Sequence, residues 1–405
     1  PVVRRGEIRY NDPCSYRRTA LSDGLTIRYD AGNFTVASIT CYQYSDDEMI
    51  LDQDFLPLSY FTLRQARTEH SVTEDLVFRS RGDKAYRWLL GAFGFYRHGT
   101  MNAPVHFKQT GIEELILKYA NENDQSYRYS WGLKDGTGGD ELFLRSDFRM
   151  PSAGGALYHE SNYTLGRWRF TAGLRFDFEH ARLRYRNYTD TWYTKTHIKN
   201  ETAYERPIDI DDRSTLKQTF TELLPKFSVM YSFDETRNLY LTIAKGYKSG
   251  GFNTQIFSDV LQQKMMNRMG IGEVYDVQRG VAYKPEYSWN YEIGGHFSCM
   301  EGAVRGDFAL FYIDCRDQQL TVFPPGQTTG RMMTNAGRTR SLGAEAAVQI
   351  SPWRTFDINL AYGYTDARFV RYETTVKNDD GDPVRISYKD NRIPYAPQHT
   401  LSAGA

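Results

Sequence analysis

Arg167-Trp168-Arg169-Phe170-Thr171-Ala172-Gly173-Leu174-Arg175-Phe176-Asp177-Phe178-Glu179 has a period of two. Trp168, Phe170, Ala172, Leu174, Phe176 and Phe178 share one face of an extended chain. Arg167, Arg169, Thr171, Gly173, Arg175, Asp177 and Glu179 share the other. Alternation of that kind is a β-strand with unlike faces. A soluble sandwich would leave the polar face in solvent. A transmembrane barrel would turn the aromatic face to lipid and line a wet lumen with the charges.

The pattern recurs on both sides. Tyr287, Trp289, Tyr291, Ile293 and Phe297 oppose Ser288, Asn290, Glu292, Gly294 and His296. Segments 227–233, 342–350 and 356–364 alternate in the same way, 34–44 does so more weakly, and 88–96 is apolar on both faces. Short turns fall at Asp30–Asn33, Arg81–Lys84, Leu165–Gly166, Asp234–Thr236, Met300–Gly302 and Pro352–Arg354. Long polar excursions lie between them at 45–66, 98–150, 183–218, 248–285, 316–331 and 368–397. Strict short–long alternation puts every long loop on one rim, as in an outer-membrane barrel with tight periplasmic turns. The fold class expected is all-β: an antiparallel, up-and-down transmembrane β-barrel of about fourteen strands. The first of them is placed near residues 5–10 and the last from about 398.

Composition agrees. Apolar residues make 40% of the 405, and mean hydropathy is −0.60. No run approaches the roughly 20 apolar residues of a membrane helix. Alternating strands escape such a scan because every second residue is polar. The aromatic share of 15% suits interfacial girdles, and rings crowd the short turns: Trp88, Tyr163, Trp168, Tyr231, Phe233, Phe297, Trp353 and Phe356. Ordinary packing at hairpin ends is the alternative account of that crowding, disfavoured by the loop asymmetry beside it. Fifty basic and fifty acidic residues leave no nucleic-acid footprint. Cys14, Cys41, Cys299 and Cys315 lack metal-ligand spacing, and Cys299 and Cys315 fall at opposite ends of one hairpin, out of bridging reach. A bridge between Cys14 and Cys41 stays open. The chain begins Pro1-Val2-Val3-Arg4-Arg5 with no signal peptide, which a mature outer-membrane protein would have lost.

Particular motifs resemble those of TonB-dependent outer-membrane receptors. They are Lys245-Gly246-Tyr247-Lys248-Ser249-Gly250-Gly251-Phe252-Asn253, then Lys284-Pro285-Glu286 leading to Asn290-Tyr291-Glu292-Ile293-Gly294. Asn335-Ala336-Gly337-Arg338 with Gly343-Ala344-Glu345, and Ile393-Pro394-Tyr395-Ala396-Pro397-Gln398-His399-Thr400, complete the set. An early hairpin match lies at Ser38–Tyr42 and Asp52–Phe55. The resemblance is strong from about 219 to 403. It implies a barrel of about 22 strands, an N-terminal plug and a box that contacts TonB. No plug and no box is seen in this sequence, and no aromatic-ended final strand. Residues 1–405 are therefore expected to be a partial outer-membrane barrel domain, the central part of a receptor barrel.

Catalytic and phosphate-cradle motifs are absent, and the chain is not expected to be an enzyme or to hold a cofactor or metal. Gly136-Thr137-Gly138-Gly139 has no helix pattern after it. Asn378-Asp379-Asp380-Gly381-Asp382 lacks the calcium-loop glycine and glutamate, and Asp209, Asp211 and Asp212 lead into Arg213, so both runs read as solvated loops. Met265 and Met269 share one face of a short helix, which reads as loop packing. Arg169, Arg175, Asp177, Glu179, Glu292 and Glu345 fall on the lumen-facing side, where such charges usually pair with one another or with a plug. Trp192, Tyr193 and His197 in the long excursion 183–218, with Tyr247 and Lys248, are the ligand-contact candidates, because large rings supply contact area at low entropy cost.

The function expected is outer-membrane uptake of a scarce nutrient such as a ferric siderophore, in a Gram-negative cell. The partners implied are outer-membrane lipid, the small-molecule ligand, and a TonB-ExbB-ExbD system reached through a plug. The rival is a self-closed passive channel of about fourteen strands. A soluble all-β binding module is disfavoured, since its aromatic faces would form patches too large for a soluble monomer.

Overall fold

The protein is described by a computed structural model covering residue 7 and residues 9–52, 57–118, 121, 129–135, 141–270, 280–322, 332–377 and 383–405. Its strands are β1 (Ser15–Asp30), β2 (Phe34–Asp52), β3 (Phe61–Ser80), β4 (Tyr86–Asn102), β5 (Val105–Phe107) and β6 (Tyr129–Asp135). β7 (Leu142–Leu165), β8 (Trp168–His197), β9 (Ala203–Ser232), β10 (Asn238–Lys248), β11 (Gly251–Phe252) and β12 (Ala282–Tyr283) follow. The rest are β13 (Glu286–Cys299), β14 (Val304–Val322), β15 (Met332–Trp353), β16 (Phe356–Arg371), β17 (Glu373–Lys377), β18 (Pro383–Ser387) and β19 (His399–Gly404).

Fifteen strands form one sheet in the order β1-β2-β3-β4-β7-β8-β9-β10-β13-β14-β15-β16-β19, with β5 and β6 off that path. Every neighbouring pair along the path is antiparallel. In an unbroken meander, successive connections alternate between the two ends of the sheet. All the tight turns therefore share one rim. Backbone bonds join that rim from hairpin to hairpin: Arg81 N–H to Asn33 O (2.8 Å), Thr164 N–H to Ala85 O (2.7 Å), Ser232 N–H to Arg167 O (2.8 Å) and Ser351 N–H to Ala303 O (2.7 Å).

The first strand is displaced from its expected place. The residues described near 5–10 are not in a strand, and β1 starts at Ser15. Its alternation is broken by Ser22-Asp23-Gly24, which hides it from a periodicity reading. Among the described residues, β1 pairs only with β2 and β19 only with β16.

The long excursions also need correcting, because much of what reads as loop is strand. Residues 183–218 are the outer part of a hairpin between two 30-residue strands, continuous in register to Thr196 opposite Ala203. A tilted strand crosses the hydrocarbon in about 9–11 residues, so most of this hairpin stands clear of a membrane. Its inward face there is buried, through Leu183, Tyr185, Asn187, Thr189 and Thr191, and because Asn187, Thr189 and Thr191 are polar the hydropathy alternation fades, although Thr, Tyr and Trp still favour strand. Excursion 368–397 holds the hairpin β17–β18, and 248–285 holds the helix Phe257–Arg268. In excursion 316–331, β14 runs on to Val322, and 323–331 lie outside the described residues, as do Gly136–Gly139 and Asn378–Asp382.

Exposure alternates along β8 as the opening stretch predicts. Trp168, Phe170, Leu174, Phe176 and Phe178 are 43–49% exposed, whereas Arg169, Arg175, Asp177 and Glu179 on the other face are half-buried. Across the ladder the same apolar face continues through Leu90, Leu157 and Leu223, all exposed. At the short-turn rim, Trp168 meets Tyr231 at 4.8 Å with the rings tilted, Tyr231 meets Phe233 at 5.1 Å, and Trp353 meets Phe356 at 5.9 Å. These rings pack at hairpin ends and still face outward, so both accounts of the crowding hold.

Segment 88–96 is apolar on both faces because its inward side is a ring-packing surface. A Cβ on Gly91 would fall 2.1 Å from the Tyr158 ring, so the phenol lies flat over a bare backbone. The Tyr158 hydroxyl then donates to Asp75 at 2.6 Å.

Well-buried apolar side chains gather at the long-loop rim. One cluster joins Ile112, Ile116, Trp131, Leu142, Leu144, Ile208, Leu261 and Met265; a second joins Phe148, Leu183, Tyr185, Phe257 and Val281. The helix supplies Phe257, Val260, Leu261, Met265 and Met266. Met265 and Met269 are buried here, so the methionine pair is packing, as expected. The strand ends and the segments joining them thus fold into a cap with its own core.

Candidate functional site

The candidate residues fall into two groups at the long-loop rim. Trp192, Tyr193 and His197 lie near the tip of the β8–β9 hairpin, and Tyr247 and Lys248 close β10. Among the described residues, no hydrogen bond, ion pair or ring contact links the two groups.

Within the first group, strand alternation separates Trp192 from its neighbours. Trp192 is on the outward face, 38% exposed. Tyr193 is on the inward face, with its ring 5.7 Å from that of Trp131. His197 lies on Tyr193's side and meets Tyr129 edge-on at 5.1 Å. One face cannot use Trp192 and Tyr193 together. The inward set is completed by residues that sequence reasoning missed. β6 pairs with the end of β8 and sets Tyr129 opposite His197 and Trp131 opposite Lys195. Lys195 Nζ lies 4.2 Å from the Tyr129 ring centre and 4.5 Å from that of Trp131. The signal for β6 was the spacing of Tyr127, Tyr129 and Trp131, hidden inside excursion 98–150.

This arrangement can hold an anionic, partly apolar molecule. An ammonium ion against two rings keeps its charge while the rings supply contact surface. The Trp131 indole Nε1 is buried with no hydrogen-bond partner among the described residues. In the second group, the Tyr247 ring lies 5.9 Å from that of Tyr287, and its hydroxyl is also buried without a partner. Lys248 is exposed and sits opposite Glu286.

The six charged residues of the other expectation are distributed along the strands. Arg175 forks onto Asp177 at 2.7 and 2.8 Å and lies over the rings of Phe93 and Tyr158. Glu292 accepts from Tyr240 at 2.7 Å. Arg169 and Glu179 are half-buried, and Glu345 is exposed. The acidic run at 209–212 is drawn into ion pairs. Asp211 is shared by Arg186 and Arg213, which hold its carboxyl well below the usual range, and Asp212 meets Lys264 of the helix. Among the described residues there is no cluster able to hold a metal, and all four cysteines are free, which closes the question of Cys14 and Cys41.

The cap contains a costly group. Asp259, in the first turn of the helix, is half-buried, its Oδ2 is enclosed without a partner among the described residues, and desolvation pushes its carboxyl up to about 6. The folded cap therefore binds the proton more tightly than the unfolded chain. Docking is strongest below about pH 4, where both states are neutral, and it weakens until about pH 6. Asp259→Asn is expected to stabilise the cap by about 2–3 kcal/mol at pH 7 and to flatten its profile between pH 4 and 7. Hydrogen exchange of the helix at the two pH values checks this; an unchanged profile would contradict it.

A family model described as "TonB dependent receptor-like, beta-barrel" matches residues 4–405. The chain belongs to that family. The pesticin receptor of Yersinia enterocolitica is 28% identical over 185 residues, 45% of this chain and 22% of that protein. Among solved structures, the ferric yersiniabactin uptake receptor FyuA from Yersinia pestis superposes with a TM-score of 0.61 at 17% identity, over 97% of this chain and 48% of that one. The siderophore receptor PiuA from Acinetobacter baumannii gives 0.60 at 12% identity, over 97% and 52%. The chain thus spans about half the length of these structures, and they establish its fold.

Proposed function

We propose that this chain forms part of the barrel of an outer-membrane receptor that takes up a scarce nutrient, most simply a ferric siderophore or similar iron complex. The observation that carries the proposal is the inward-facing set Tyr129, Trp131, Tyr193, Lys195 and His197, held on paired strands beside the packed cap. The family and the siderophore-receptor neighbours support the iron complex as cargo. Arg169, Arg175, Asp177, Glu179, Glu292 and Glu345 would line the polar lumen below, and Tyr247 and Lys248 a second contact point at its mouth. Energy would come from a TonB-ExbB-ExbD system through a plug. The short-turn rim would face the periplasm and the cap the outside of a Gram-negative cell.

A passive, self-closed channel has less support. It needs a ladder between β1 and β19, and each has a single described neighbour.

The test is a tryptophan-fluorescence titration of the detergent-solubilised protein with a panel of ferric siderophores and their iron-free forms. Saturable quenching by at least one ferric complex is expected. Lys195→Ala should weaken it about tenfold, since the ammonium would make a charge-assisted hydrogen bond of roughly 1.5 kcal/mol to an anionic group of the ligand. Quenching that Lys195→Ala and Tyr193→Ala leave unchanged would remove this site from the account.

A further inference from the structure

The lipid-facing side of β8 does not end at its aromatic band. From Trp168 to Phe178 is eleven residues, the length a tilted strand needs to cross the hydrocarbon. The next residues on that face are His180, Arg182, Arg184 and Arg186, placed at the headgroup level toward the cap. Their neighbours across the ladder share the face. Lys217 lies opposite Arg182, Arg149 opposite Arg184, and Arg213 opposite Arg186. These three rows carry six cations and one carboxylate, Asp147, which accepts from Asn102 at 2.7 Å.

The patch contains a hollow. Asn102, Asp147, Arg149, Arg184, Arg186 and Arg213 are among the residues lining a cavity of about 670 Å³ on the outer wall of β3, β4 and β7–β9. Arg186 and Arg213 are fixed by forks onto Asp211 at 2.5–3.0 Å. Arg149 and Arg184 have no acidic partner among the described residues. At the same level on β14–β16, Arg338 and Arg316 share Asp314, and Arg368 and Arg392 share Asp366. On β7–β9 the guanidinium groups of Arg149 and Arg184 are left to a ligand, beside an apolar surface.

We propose that this patch is a binding site for an outer-leaflet lipid whose headgroup carries phosphate groups. The phosphates would occupy the hollow between Arg149 and Arg184, whose planar guanidinium groups suit two-pronged contacts with phosphate oxygens. The acyl chains would lie down the wall over Phe178, Phe176 and Leu157. Charge complementarity and continuity with the apolar band select a lipid over a free anion. The site rests on the membrane reading of the fold and is independent of what the inward face transports.

Native mass spectrometry of the detergent-solubilised protein, titrated with diphosphorylated lipid A and with the same lipid stripped of phosphate, tests this. The wild-type chain is expected to retain the phosphorylated lipid at least tenfold better than the stripped one. Arg149→Ala with Arg184→Ala should abolish that preference, whereas the corresponding double Lys variant should keep part of it. Arg305→Ala with Arg354→Ala, an equal charge change at the short-turn rim, should keep all of it. Unchanged retention in the Arg149→Ala with Arg184→Ala variant, or equal loss in the Arg305→Ala with Arg354→Ala variant, would overturn the site. Full displacement by 10 mM inorganic phosphate would show a free-anion site and overturn the lipid assignment. A chain that stays in the aqueous phase on detergent partitioning would fail the membrane reading itself, a separate result from loss of phosphate preference.

Discussion

Replacing Phe257 by alanine is expected to cost the cap about 3–5 kcal/mol. The side chain is fully buried, with the ring of Tyr185 at 4.6 Å and that of Phe148 edge-on at 5.0 Å. Asn187 donates to its carbonyl at 2.9 Å, so the backbone is held too and cannot close easily on the void. The helix it opens joins the ends of β7, β8 and β9, where the apolar clusters lie. Hydrogen exchange should show the amides of 257–268 opening hundreds of times more often, while those of the strand segment 168–178 stay protected. Equal loosening of both regions would mean that the cap is not a unit of its own.

Leu174→Arg is the second large effect, about 2–4 kcal/mol in a bilayer. Leu174 is 49% exposed, on the apolar face near the middle of the Trp168–Phe178 band, where no water is available to an arginine. Arg175→Ala, one residue away on the other face, removes a fork to Asp177 at a half-buried polar surface and is expected to cost about 1 kcal/mol or less. Urea unfolding from lipid vesicles compares the two. Equal effects would contradict a lipid-facing assignment of Leu174.

What was legible in the sequence follows from where each residue's two neighbouring environments differ. Between Trp168 and Glu179 one face meets a very different medium from the other, and the period of two is plain. Past His180 the outward face is charged and the buried inward face carries the polar Asn187, Thr189 and Thr191, so β8 continues to His197 with little in its hydropathy to say so. Read as an excursion, 183–218 still yielded Tyr193 and His197, because large rings in a polar stretch are conspicuous. Their partners were not legible. Tyr129, Trp131 and Lys195 come together only through the pairing of β6 with β8, a contact between segments some sixty residues apart. Trp192 and Tyr193 lie on opposite faces, which strand alternation decides and the chemistry of the two rings does not. The methionine pair at 265 and 269 was read correctly as packing, since its spacing alone puts both on one helix face. The strand expected near 5–10 is not formed by the residues described there, and the sheet opens instead with β1, which the turn at Asp30–Asn33 closes and whose pattern Ser22-Asp23-Gly24 interrupts.

The central claim is that the strands cross the outer membrane with the cap outside and the tight turns inside. Single cysteines placed in intact cells test it most directly, in a background where Cys14, Cys41, Cys299 and Cys315 are serine. Asn200→Cys sits in the turn at the tip of the β8–β9 hairpin, and Glu301→Cys sits in the tight turn between β13 and β14. With a membrane-impermeant maleimide, Asn200→Cys is expected to label in intact cells, and Glu301→Cys only after the outer membrane is permeabilised. Labelling of Glu301→Cys in intact cells, with Asn200→Cys protected, would contradict the account.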